Sequence, residues 1–126
     1  MKPTTAYFRA ARAVAIAARD ALPELPTVVS GVAAMFCGSI AQSEYRWRRG
    51  EMFRPVPKLV RDHVVDFVQL YDGDPQTAAL GECLAIALCA DFWREITQLA
   101  EQLQRGERIR MSKVRQLIQR RMAPTC

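Results

Sequence analysis

What most constrains this chain is its punctuation. Pro23 and Pro26, then Gly50, Pro55 and Pro57, then Asp72-Gly73-Asp74-Pro75, then Arg105-Gly106 cut the 126 residues into five stretches. Within each stretch apolar residues recur every three or four positions, and none shows a sustained alternation of period two. The expected fold is all-α: a single helical bundle of about five helices, one domain over 1–126, with 105–126 as an Arg-rich C-terminal helix or tail. Half of the residues are apolar and a quarter charged, a composition that supports a buried core rather than disorder.

The first helix, about 5–22, sets Tyr7, Ala11, Val14, Ala18 and Leu22 on one stripe, with Arg9, Arg12 and Arg19 opposite. The second, about 27–49, carries the small-residue rows Ser30, Ala34, Cys37, Ala41 and Gly31, Gly38, which let a neighbour approach closely; it reads as the central, most buried element. The third, about 57–71, opens on Pro57 and presents Val60, Val64, Phe67, Val68 and Tyr71. The fourth, about 76–104, reads as one long helix. Its row Ala85, Cys89, Phe92, Ile96, Leu99, Leu103 has heptad spacing, suited to packing along neighbours or to a homo- or hetero-oligomer. Gly106 offers the left-handed residue that closes it. The fifth takes Ser112 as its N-cap, with Val114, Leu117, Ile118 and Met122 on one face and Lys113, Gln116 and Arg120 on another.

Several function classes find no support. Cys37, Cys83, Cys89 and Cys126 are scattered, without a Cys-x-x-Cys pair, and read as small hydrophobes in a reducing cytoplasm, Cys126 as an exposed terminal thiol. The apolar run at 13–18 is too short for a secretory signal. The uncharged stretch 25–43 contains Pro26, Thr27, Ser30, Ser39, Gln42 and Ser43, which favours a buried helix over a membrane span. His63 with Asp62 and Asp66 is the only cluster with acid–base potential, and it reads as a histidine satisfied by a helix neighbour. There is no nucleophile with a base at a recognisable spacing, no Glu-x-x-His pattern and no Gly-rich phosphate loop. The chain is therefore expected to be no enzyme and to need neither cofactor nor metal.

The net charge of +5 conceals a strong pattern. Residues 1–45 carry +1, residues 46–61 carry +5, residues 62–104 carry −7 and residues 105–126 carry +6. In the first basic block Arg46, Arg48, Arg49, Arg54 and Lys58 alternate with Tyr45, Trp47 and Phe53, offering charge for phosphates and flat faces for bases. In the second, Arg105, Arg108, Arg110, Lys113, Arg115, Arg120 and Arg121 are mostly arginines, which grip phosphate through two parallel hydrogen bonds. The competing arrangement docks this tail on the chain's own acidic helices. The apolar spacing around 99–117 loosely follows a helix-turn-helix, but the turn is longer than the usual three or four residues.

These readings lead to a non-catalytic, cytoplasmic, nucleic-acid-associated module. It would hold an RNA or DNA backbone through its Arg-rich segments, as a small subunit of a ribonucleoprotein complex. The alternative is a small protein-binding inhibitor or adaptor, of the phage- or plasmid-encoded, anti-CRISPR-like kind, acting on a nucleic-acid-processing complex.

Overall fold

A computed structural model of the chain describes residues 1–21, 27–50 and 75–122. Over these residues run five α-helices and no strand: α1 (Pro3–Ala21), α2 (Thr27–Arg48), α3 (Pro75–Asp91), α4 (Trp93–Gln104) and α5 (Met111–Met122). The all-α bundle expected from the apolar period is the observed architecture. The expected third helix lies outside the described residues, and with it Arg54, Lys58 and the His63 cluster.

Among the described residues the hub of the bundle is α1, not α2. Ala6, Ala10, Ala11, Ala13, Ala15, Ala17 and Ala18 of α1 are buried together with Tyr7 and Val14. This helix touches all four others, whereas α2 packs chiefly on α1 and α3 and leaves Met35 36% exposed on its outer side. The physical reason is side-chain length. An alanine ends at Cβ, so helix axes can come close on several sides of α1 at once. Arg9, Arg12 and Arg19 stay exposed, as their spacing predicts.

Contacts along the helices fix their directions. Gln42 Nε2 donates to the Thr4 carbonyl at 3.2 Å, and the Phe8 ring sits where a Cβ on Gly38 would lie 2.5 Å away, so α2 runs antiparallel to α1. Gly81 lies against Val32 and Ala33, and Cys37 Sγ donates to the Ala85 carbonyl at 3.8 Å, so α3 runs parallel to α2. The small-residue rows of α2 thus do receive neighbours closely.

The expected long fourth helix is two helices. The chain turns at Phe92 (φ −109°, ψ 21°), although Phe92 N–H still bonds the Leu88 carbonyl at 2.9 Å. In a straight helix Phe92 and Trp93 would stand about 100° apart. The turn seats Phe92 in the core while Trp93 stacks on Tyr7 of α1 with ring centroids 5.3 Å apart. The heptad row is interior: Ala85, Cys89, Phe92, Ile96 and Leu99 are buried within this one chain, so it offers no seam to a second copy. The outward side of α3 carries exposed Ala79, Leu80, Cys83, Ile86, Ala87 and Ala90 instead.

Gly106 closes α4 as expected. Its φ is +83°, its N–H bonds the Leu103 carbonyl and Glu107 N–H reaches the Gln102 carbonyl, both at 3.0 Å, the paired bonds of a Schellman ending. The N-cap of α5 is Arg110 rather than Ser112: the Arg110 carbonyl accepts the first helical bond, from Val114 N–H at 3.1 Å. Val114 and Ile118 are wholly buried, which makes the C-terminal segment a docked helix through Met122. No helix among the described residues is long and apolar enough to cross a membrane.

Cys37 and Cys89 are buried and Cys83 is exposed, against the expectation that all three are core hydrophobes. The Cys37 thiol is pushed up, well above the usual thiol range, first by its hydrogen bond with Cys89 and then by burial. In a Cys126→Ser background, Cys83 should react with a disulfide reagent while the protein is native, and Cys37 and Cys89 only on unfolding, as counted by mass spectrometry. Replacing Gly81 by Ala forces a methyl onto Val32 and to 3.3 Å from the Ala33 backbone nitrogen. It should cost about 1–3 kcal/mol in urea denaturation. Ile118→Ala should cost about 2–5 kcal/mol by the same measurement, because α5 is held by few large side chains.

Candidate functional site

Both α4 and α5 direct their apolar faces at α1. Neither can then use that face on the other, and a cleft of about 690 Å3 remains between them. Its walls follow from helical spacing. On α5, Val114 and Ile118 face the core, while Lys113, Gln116 and Arg120, at intervals of three and four, line the cleft. On α4, Ile96 and Ala100 face the core while Gln98, Glu101 and Gln102 line the cleft. Leu99 and Leu117 supply apolar surface from either side, Leu99 being buried. The connection contributes Arg105, Glu107, Arg108 and Arg110.

Five cations and two carboxylates therefore share the cleft, and the cations are divided by use. Arg105 Nε bonds Glu107 at 3.3 Å. Among the described residues, Arg108, Arg110, Lys113 and Arg120 form no ion pair. The remaining two arginines of the C-terminal block point elsewhere. Arg115 Nε reaches Asp20 of α1 at 2.9 Å, and both side chains are about half exposed. Arg121 fastens the end of α5 to the start of α4: it donates to the Asp91 carbonyl at 2.7 Å, lies 3.7 Å from the Glu95 carboxylate and sits over the Phe92 ring. The Glu95 side chain is almost wholly buried, and its second oxygen has no hydrogen-bond partner among the described residues. Of the two arrangements expected for the basic tail, docking on the chain's own acidic segment is seen in part. Arg121 docks on the acidic segment, and four cations face the open cleft.

The first basic block is not brought into this cleft. Arg46, Trp47, Arg48 and Arg49 are exposed at the end of α2, and none of them lines it. Arg48 bonds Glu44 at 2.7 Å and its guanidinium lies 4.8 Å from the centre of the Trp93 ring. Arg49 bonds the Tyr45 hydroxyl and lies over that ring. Tyr45 and Trp93 both stack on Tyr7, with ring centroids 4.5 and 5.3 Å from its own. Two of these arginines therefore cap an aromatic stack built by three helices. Trp47, 61% exposed, stays outside it. Sequence reading missed the roles of Tyr7 and Trp93, which lie far from the block in the chain. It also missed the α4 wall of the cleft, although the Lys113, Gln116, Arg120 row was a usable signal for the α5 wall.

Among the described residues no group of His, Cys, Asp or Glu side chains could hold a metal ion. Compared with family models, with curated proteins and with solved structures, the chain matches none.

The arginine contacts differ in worth. Arg121→Leu leaves the buried Glu95 carboxylate without its cation and should lower stability by about 1–3 kcal/mol in urea denaturation. Adding Glu95→Gln should recover part of that loss. Arg115→Leu removes a solvent-exposed pair and should cost less than about 1 kcal/mol.

Proposed function

We propose that this chain is a non-catalytic, nucleic-acid-associated helical module that holds an RNA or DNA backbone in the cleft between α4 and α5. The observation that carries this reading is the set Arg108, Arg110, Lys113 and Arg120, gathered on α5 and the connection around one cleft with no ion-pair partner among the described residues. Three of the four are arginines, whose planar fork matches phosphate oxygens. A cleft between rigid helices gathers these charges without the entropy loss of ordering a loose tail. The exposed Trp47 and the arginines around it offer a second surface at the end of α2. The exposed free thiol of Cys83 suits a reducing cytoplasm, and a cleft that holds a nucleic-acid backbone suits a subunit of a ribonucleoprotein complex.

The exposed apolar side of α3, with Leu80 and Ile86 more than half exposed, supports the second reading, a protein-binding adaptor or inhibitor. Under that reading a single partner survives nuclease treatment in a pulldown, and Ile86→Glu releases it while Arg108→Glu does not.

The nucleic-acid reading is tested by fluorescence anisotropy with labelled oligonucleotides of about 20 nucleotides. Four neutralised phosphates give a slope of log K against log salt near −2.8 on a single strand, so affinity should fall roughly 50-fold between about 50 and about 200 mM salt. The double variant Arg108→Glu, Lys113→Glu should lose at least about tenfold in affinity and flatten that slope. Absence of binding to single- and double-stranded RNA and DNA at the lower salt would falsify it.

A further inference from the structure

The two walls of the cleft differ in chemistry. Cations lie on the α5 wall, as Lys113 and Arg120 on either side of Gln116, and on the connection, as Arg108 and Arg110 beside the Arg105–Glu107 pair. The α4 wall carries Gln98, Glu101 and Gln102, acceptors and amides, and none of the three glutamines that line the cleft makes a side-chain hydrogen bond among the described residues. Between the walls Leu99 and Leu117 give an apolar floor. From this asymmetry we infer that the cleft takes a short single strand, its phosphates along α5 and the connection and its bases turned toward α4. This rests on the nucleic-acid reading above and narrows it.

Chemistry selects the single strand. A duplex presents phosphates on both edges, and one edge would face Glu101. A single strand has one charged edge and one base edge, as the cleft does. The exocyclic amines of cytosine and adenine donate to glutamate and glutamine oxygens, while glutamine amides donate to ring nitrogens and carbonyls. An acidic peptide, which carries carboxylates on either side, meets Glu101 on the α4 wall, where a single strand turns its bases. Among the described residues no aromatic side chain lines the cleft, so bases rest on Leu117 and on guanidinium planes, and affinity tolerates changes of sequence. Lys113 and Arg120 are seven residues apart on α5, about 10 Å, the length of roughly three stacked nucleotides.

Three probes separate the outcomes, each titrated into the full chain at about 50 mM salt. They are a hexanucleotide of alternating cytosine and adenine, a six-unit abasic strand with the same backbone, and a duplex of the hexanucleotide sequence extended to about 20 base pairs. The hexanucleotide should bind roughly tenfold tighter than the abasic strand and tighter per site than the duplex. The double variant Gln98→Ala, Gln102→Ala should erase the preference for the base-bearing strand and leave abasic binding unchanged; both lie on a solvent-facing wall, and circular dichroism checks that the helices persist. Equal binding of abasic and base-bearing strands, or a duplex that binds as well as the single strand, overturns the single-strand cleft and leaves the backbone reading standing. Failure of all three probes while an oligoglutamate peptide binds overturns both.

Discussion

Close packing against the alanines of α1 is the interaction on which the other helices depend. Seven alanines on a nineteen-residue helix are buried, which removes little side-chain entropy and lets partners come near on several sides. Larger residues at these positions would hold α2, α4 and α5 at different distances and leave Val14 and Phe36 short of neighbours. The turn at Phe92 belongs to the same arrangement. It passes the chain from α3, which lies along α2, to α4, which lies along α1.

The cleft is a consequence of that hub. Two helices that both bury their apolar stripe on a third leave polar sides facing each other across a gap. At one end the gap is closed by the six-residue connection from the Schellman ending of α4 to Arg110. At the other it is tied by Arg121, which bonds the Asp91 carbonyl and accompanies the buried Glu95. The cations of α5 are thus divided by helix face: Arg121, and more weakly Arg115, tie α5 to its neighbours, and Lys113 and Arg120, turned to the other side, line the cleft.

Much of this was legible along the chain where neighbours in sequence decide it. The class of the fold, the buried Val114 and Ile118, the exposed Arg9, Arg12 and Arg19, and the closing role of Gly106 all follow from spacing or from one backbone conformation. Errors arose where neighbours in space decide. α2 resembled a hub by its small residues, but α1 gathers more helices. The 76–104 stretch is helical nearly throughout, yet stacking of Trp93 on Tyr7 and burial of Phe92 together require a turn that no glycine or proline announces. Its heptad row resembled a seam between copies and is interior. For the candidate site, the Lys113, Gln116, Arg120 row was readable from α5 alone, whereas Gln98 and Gln102 line the cleft only because α4 is brought opposite.

By itself the sequence determined the all-α class and the apolar faces of the helices, because these depend on residues three or four apart on one helix, and it set out the charge as two basic blocks around an acidic one. Only the tertiary structure decided which arginines are occupied and which are not. Arg115 and Asp20 are 95 residues apart, and Arg121 lies 26 residues beyond its buried carboxylate at Glu95. Contacts at such separations are fixed by how helices dock on α1, and no periodicity within a single helix encodes that.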